Sequence, residues 1–281
     1  MAIVLGENNY GKQRVRLLRL SRQDGRHEIQ ELTIGIRLRG GFETAHTKGD
    51  NKKILPTDTM KNTVYALARL HPIEAIETFC QQLMEHFLGK NPHVSQVHVE
   101  ASETLWLRLP FGGKSHDHTF TSPSVEKRIA TASGTRTQKT ICAGIEGLVV
   151  LKTTQSAFGD FLSDQYTTLK ETRDRILSTV IRANWTYRGA GADYRTLWHA
   201  VRQMMLETFA EHDSQSVQQT LYAMGQAVLE NFDNILDINL SLPNKHYLPV
   251  DLSPFKMDNP GLIFLPTDEP HGLIEATLRR N

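Results

Sequence analysis

Twelve histidines against two cysteines invite a metal-site reading of this sequence. The densest spacing is His116-Asp117-His118, where an extended chain carries both imidazoles on one side, as a shared metal ion requires. Two ligands in a Ser/Thr-rich stretch still lack a third, and His-x-His is common by chance, so this stretch reads as a solvated loop. Cys80 follows Phe79 inside an apolar helical stripe, and Cys142 follows Ile141 in a strand-like run. Both read as small buried hydrophobes of a reducing compartment rather than as nucleophiles or zinc ligands. There is no phosphate-binding loop, Gly-x-Ser-x-Gly elbow, dinucleotide fingerprint or His-Glu-x-x-His.

Four other places hold polar residues that a fold alone does not demand. Lys12, after Tyr10-Gly11, precedes the first strand and by itself is a surface lysine. Thr57-Asp58 heads a helix, and both are good N-cap types. Ser216-Val217-Gln218-Gln219 has the Ser-x-x-Gln form of a capping box. In Ser241-Leu242-Pro243-Asn244-Lys245-His246-Tyr247 a proline interrupts a strand, and hydrogen-bonding side chains follow it. Taken singly, each has an ordinary structural explanation.

The elements that must position these residues are legible as periodicities. Residues 14–20 partly alternate, Asp24-Gly25 supplies a turn, and Leu32, Ile34, Ile36 and Leu38 alternate with Thr33, Gly35, Arg37 and Arg39. That is the period of an antiparallel hairpin, which Gly40-Gly41 ends. A polar loop covers 48–53, and a helix starts near Thr57-Asp58. Pro72 opens a second helix, closed by Gly89, with Ile73, Ile76, Phe79, Cys80, Leu83, Met84 and Phe87 three or four apart. Strand signals follow at 93–99 and 104–109. The second half repeats the order, with strand-like runs at about 118–131 and 139–152. A polar helix is expected near 167–178, a β-rich stretch at 179–187, and helices at about 194–210 and 216–230. Alternation from Leu236 to Leu242 and a final strand near 246–252 close the chain. Hairpin, helices, hairpin, twice over, predicts an α+β protein with antiparallel sheets and the helices on one face.

Composition narrows the function classes. At roughly 150 residues per domain, 281 residues suggest about two domains or one duplicated unit. Lys+Arg 32 against Asp+Glu 31 leaves a formal charge of +1, which disfavours a basic nucleic-acid binder or an acidic tail. Charged residues at 22% and hydrophobic ones at 39% describe a globular protein rather than a disordered one. No apolar run approaches the ~18 residues that span a bilayer. The start is too short for a signal peptide and lacks a basic lead-in. The ending, Arg279-Arg280-Asn281, lacks a Ser-Lys-Leu peroxisomal address, so the expected location is cytoplasmic.

Thr57-Asp58 through Lys61-Asn62-Thr63, Thr167-Thr168-Leu169-Lys170-Glu171-Thr172 leading to Asp174-Arg175-Ile176-Leu177, Val217-Gln218, and Leu242-Pro243-Asn244-Lys245-His246-Tyr247 occur in this order. Together they resemble the cofactor-independent urate oxidase (uricase) family, from Tyr10-Gly11-Lys12 to Gly272-Leu273-Ile274. The resemblance implies the tunnelling fold (T-fold): a two-hairpin sheet with two helices, twice per chain, as modules 1–137 and 138–281. It further implies subunits that assemble into a barrel, as a homotetramer with active sites shared between chains. The implied reaction, in purine degradation, is urate + O₂ + H₂O → 5-hydroxyisourate + H₂O₂. Molecular oxygen is the co-substrate, and no metal, flavin or other cofactor takes part.

Residue roles follow from the same resemblance. Phe158 matches the phenylalanine that stacks on the purine, and Arg175 the arginine that pairs with a carbonyl and a ring nitrogen. Val217 offers a main-chain N–H and Gln218 a side-chain amide to the purine edge. Lys12 and Thr57 match a proton-handling dyad, and Asp58 adds a main-chain contact. Asn244 matches the residue that holds oxygen or water above the ring, and His246 a member of the proton relay. The chemistry suits a planar anion: Arg175 is a planar fork of donors, and the N–H at a capped helix start favours negative charge. Lysine beside a threonine hydroxyl lowers the cost of removing a second proton. Pro56 stands where relatives often have alanine, and the missing peroxisomal tail points to a bacterial-type enzyme. The competing readings are another tunnelling-fold purine or pterin enzyme, such as a zinc-dependent cyclohydrolase, and a non-catalytic purine-binding protein.

Overall fold

Asp24 and Gly25 both take positive φ, 48° and 76°, the two-residue turn whose twist matches its flanking strands. They join β1 (Tyr10–Gln23) to β2 (Arg26–Gly40). The structure, a computed structural model, describes residues 2–122 and 124–280. Further elements are α1 (Glu43–Lys48), α2 (Thr57–Leu70), α3 (Ile76–Lys90), β3 (Val94–Thr104), β4 (Leu107–Phe111), β5 (Lys114–Thr121), β6 (Lys127–Gly134) and β7 (Lys139–Lys152). Then come β8 (Leu177–Tyr187), α4 (Tyr194–Glu211), α5 (Val217–Asn231), β9 (Ile235–Pro249), a 3₁₀ turn (Ser253–Phe255) and β10 (Phe264–Arg279). The strand order is β1-β2-β3-β6-β7-β8-β9-β10, with β4 and β5 as a separate pair.

Two compact units divide the chain, Met1–Gly144 with Thr186–Trp198, and Ile145–Trp185 with His199–Asn281. In the first, antiparallel pairing sets Ile36 against Val99 and Val99 against Ala132. The alternating set Leu32, Ile34, Ile36 and Leu38 is fully buried, as are Phe79, Cys80, Leu83, Met84 and Phe87 of α3, which packs on β3 and β6. Inside this core Arg128 Nη2 donates to Glu77 Oε2 at 2.6 Å, with the two side chains 4% and 0% exposed. Arg128 also donates to the Tyr194 carbonyl at 3.2 Å, and its guanidinium lies 5.4 Å from the Trp198 ring centre. In the second unit, α5 packs Val217, Leu221, Met224 and Val228 on β9 and β10, against Ile238, Leu240 and Leu242. A Cβ at Gly225 would come within 2.8 Å of Leu278 Cδ1, so helix and strand approach closely there.

Several expectations are corrected. The second helix starts at Ile76, not Pro72, and Gly89 lies within it; burial of Phe87 and Leu88 carries the helix past the glycine. Residues 118–131 are two strands, not one run, and a six-residue helix, α1, precedes the 48–53 loop. The expected polar helix at 167–178 does not form. That stretch has no apolar face to bury, and Thr172 instead forms an isolated antiparallel bridge with Phe158. Pro243 does not interrupt its strand, for β9 runs unbroken to Pro249 with Pro243 opposite Leu273. The strand expected at 246–252 is the end of β9, and the last strand is β10.

Candidate functional site

In the first unit the candidate residues gather where β1 meets the start of α2. Gly11 is required by contact: a Cβ there would stand 1.8 Å from the Ile36 carbonyl oxygen. The next residues form a β-bulge, with Lys12 opposite Ile36 and Val15 opposite Ile34, and Arg14 at φ 58°. Bulges of this kind re-aim side chains, and Lys12, which lies within β1 and not before it, emerges half-buried. Tyr10 Oη accepts from the Leu55 N–H at 2.8 Å and its ring packs edge-on against Phe42, tying β1 to the approach of α2. Thr57 and Asp58 are not caps. Pro56 is the N-cap residue and supplies no side-chain hydrogen bond, because it has none to give, so the first-turn N–H groups stay open. Asp58 turns its carboxylate along its own helix, accepting from Lys61 Nζ at 2.5 Å and Asn62 Nδ2 at 3.0 Å. Its carboxyl is held below the usual carboxylate range, chiefly by the Lys61 hydrogen bond, with the nearby Lys12 charge contributing. The structure thus brings Lys12, Thr57 and Asp58 together.

The second unit carries the remaining candidates. Phe158 exchanges main-chain hydrogen bonds with Thr172, at 2.8 and 2.9 Å, and its ring stacks on Phe161 at 5.0 Å. Arg175 Cζ lies 5.3 Å from the Phe158 ring centre. Arg175 Nε is buried without a partner, no carboxylate pairs with this guanidinium among the described residues, and burial pushes its pKa down from the usual arginine value. A desolvated cation of this kind is a receptor for an anion.

Val217 and Gln218 are the first two residues of α5. Ser216 caps it, its side chain accepting from the Gln219 N–H at 3.2 Å, while Gln219 Oε1 accepts from the Gln215 N–H at 2.8 Å. The capping expectation therefore holds, and Gln218 is free to project from an exposed position. The α5 start is joined to the Phe158 segment: the Ala157 N–H donates to the Ser214 carbonyl at 2.7 Å, and the Ser214 N–H to Gln155 at 3.0 Å. Below it, Thr220 Oγ1 donates to Ser214 Oγ at 2.7 Å within the core. Asn244 and His246 sit two apart on β9, hence on one face, both half-buried. Lys245, between them, pairs with Asp268 at 2.9 Å. The partner strand bulges here, Gly272 facing Asn244 and Thr267 facing His246.

The sequence gives Ser214 and Thr220 no role, and Asp174 stands in it only as part of the Asp174-Arg175-Ile176-Leu177 block. A loop hydroxyl, a hydroxyl inside α5 and a loop carboxylate give no periodic signal, and only their placement against the candidate segments marks them. His116 and His118 lie on strand β5 rather than in a loop, and the fold adds His27 of β2, 5.7 Å from His118 by ring centres. Among the described residues, though, no group of three His, Cys, Asp or Glu side chains is arranged to hold a metal ion. Cys80 is buried, with its thiol pKa pushed well up by desolvation; Cys142 is half-buried; and both are free.

Comparison with known proteins places the chain in one family. The family model described as Uricase matches residues 8–133 and 141–275. The chain belongs to the uricase family. The uricase of Arthrobacter globiformis is 46% identical over 99% of this chain and 90% of its own length. That of Aspergillus flavus is 38% identical over 97% and 95%. The crystal structure of the Arthrobacter globiformis uricase superposes with a TM-score of 0.95, covering 100% of this chain and 96% of that one. The urate oxidase of Bacillus sp. TB-90, 21% identical, shares the fold at a TM-score of 0.83. The fold is accordingly the α+β T-fold of the uricases.

Proposed function

We infer that this protein is a urate oxidase, converting urate, O₂ and water to 5-hydroxyisourate and H₂O₂ in purine catabolism. The observation that carries the reading is Arg175, a half-buried cation with no carboxylate partner among the described residues, 5.3 Å from the Phe158 ring centre. Urate is a planar anion near neutral pH. It takes the Arg175 fork through a carbonyl and ring nitrogen, the Phe158 face by stacking, and the Val217 N–H and Gln218 amide along its edge. Gln218 is donor and acceptor at once, as that edge requires. The positive end of the α5 dipole adds to the attraction.

Lys12 and Thr57 act on protons. The ammonium lowers the cost of drawing a second proton from urate through the threonine hydroxyl, leaving a substrate electron-rich enough to reduce O₂ itself. The Asp58 main-chain N–H, open at the uncapped start of α2, supports the bound purine. Asn244 holds O₂ or water above the ring, and His246 passes protons to and from it. No metal or organic cofactor takes part.

The chain is read as tandem modules, 1–137 and 138–281. Lys12, Thr57 and Asp58 come from one subunit, and Phe158, Arg175, Val217, Gln218, Asn244 and His246 from its neighbour, within a homotetramer closed into a barrel. The protein works in the cytoplasm, binding neither nucleic acid nor membrane; no helix among the described residues is long and apolar enough to cross a bilayer. The test is direct. Purified protein, urate and air should give decay of the urate ultraviolet band with matching peroxide release. Binding without turnover would leave only a purine-binding protein.

A further inference from the structure

Asp174 and Arg175 are neighbours of opposite charge that do not pair. Asp174 Oδ2 accepts from Thr154 Oγ1 at 2.8 Å, and Oδ1 from the Ser156 N–H at 3.4 Å. The Thr154 hydroxyl first, then main-chain N–H groups that include those of Arg175 and Gln155, hold its carboxyl below the usual carboxylate range. The turn it grips contains Gln155 at φ 56°, the left-handed region that a residue with a side chain occupies only when held there. Three residues on, Phe158 is bridged to Thr172, and Thr172 Oγ1 donates back to the Asp174 carbonyl at 2.8 Å. The carboxylate therefore closes a frame with the Phe158 ring on one side and the Arg175 guanidinium on the other, 5.3 Å apart.

We propose that Asp174 is a positioning residue for substrate: by pinning the left-handed Gln155 turn, it sets the spacing between the Phe158 ring and the Arg175 fork. The proposal rests on the reading of those two residues as the groups that take the face and edge of urate. Its sign separates it from a plain charge effect. A carboxylate close to an anion site opposes the anion, so if charge were all, removing Asp174 would tighten urate binding. If Asp174 positions the pair, removing it weakens binding.

Wild-type turnover of urate is measured first, and its absence would overturn the functional reading rather than this one. Steady-state constants are then compared for Asp174→Ala, Asp174→Asn, Thr154→Val, Gln155→Gly and the double variant Asp174→Ala/Gln155→Gly, with the melting midpoint of each. Asp174→Ala should raise KM about tenfold with a smaller change in kcat, the scale of a lost charge-assisted hydrogen bond. Thr154→Val should move KM the same way by less. Gln155→Gly alone should stay near wild type, and in the double variant KM should return toward wild type, because glycine takes this φ freely. That rescue is not expected of a residue that merely stabilises the fold. Should Asp174→Ala fail to fold, Asp174→Asn and Thr154→Val carry the same comparison. A KM that is unchanged or lower in the folded variants, or a double variant no better than Asp174→Ala, overturns the proposal.

Discussion

The Arg175 guanidinium is a standing cost in the free protein, since a desolvated donor without an acceptor loses what water would have offered. An anion removes that cost, so Arg175→Ala should raise KM for urate strongly while leaving the proton chemistry in place. Lys12→Met and Thr57→Ala should do the reverse, lowering kcat by ~10²–10⁴ with a modest change in KM, the usual worth of acid–base groups. A Lys12→Met enzyme altered only in KM would remove the dyad assignment. The contrast also shows what single residues reveal beforehand. Ser216 was legible as a cap because Ser-x-x-Gln is a local device. Thr57 is a good cap type that does not cap, because its neighbour Pro56 takes the cap position.

Elements convert those side chains into a site, and two of them expose the cost of error. Ser216→Ala removes the bond to the Gln219 N–H and should destabilise the protein by about 1 kcal/mol, with a weaker hold on urate because the Val217 N–H loses its fixed direction. In the first unit, Glu77 is surrounded by apolar neighbours, and burial raises its pKa against the pull of Arg128. Glu77→Ala would leave Arg128 buried and uncompensated, at about 3–5 kcal/mol, read as a fall in the denaturant midpoint. The sequence shows Glu77 only as a polar residue on an apolar helix. Its partner lies fifty-one positions away, a separation that periodicity does not bridge.

The whole molecule carries the pH and assembly behaviour. His86, His98 and His212 all titrate below the ordinary histidine value, chiefly through burial. The unfolded chain takes protons at about pH 6.5 that the folded chain refuses, so stability should fall as pH drops from about 7 toward the folded values, with no such loss above 7. Melting curves across that window should show it, with a shallower slope in His98→Gln; a flat profile would contradict the assignment. Extensive dialysis against a chelator should leave turnover unchanged; a stoichiometric metal whose removal abolishes it would end the cofactor-free reading. Dissociating and reassembling inactive Thr57→Ala with inactive Arg175→Ala subunits should restore about a quarter of wild-type activity. Half of randomly formed dimers are mixed, and each mixed dimer keeps one intact site. No recovery after exchange verified by mass spectrometry would mean that each chain holds its own complete site.

The α+β class, the first hairpin with its Asp24-Gly25 turn and the later helices were determined by the sequence itself, because alternation, helical spacing and turn chemistry act over a few residues. The family, too, was readable in short blocks such as Asn244-Lys245-His246. Tertiary structure decided the rest. It turned the expected helix at 167–178 into the bridged segment beside Phe158, carried β9 through Pro243, and added β10, whose turn-rich sequence hides a strand held by pairing with β9. It also set Asp174 on Thr154 instead of Arg175. Each of these depends on a partner distant along the chain, and backbone hydrogen bonding or burial against that partner outweighs local preference.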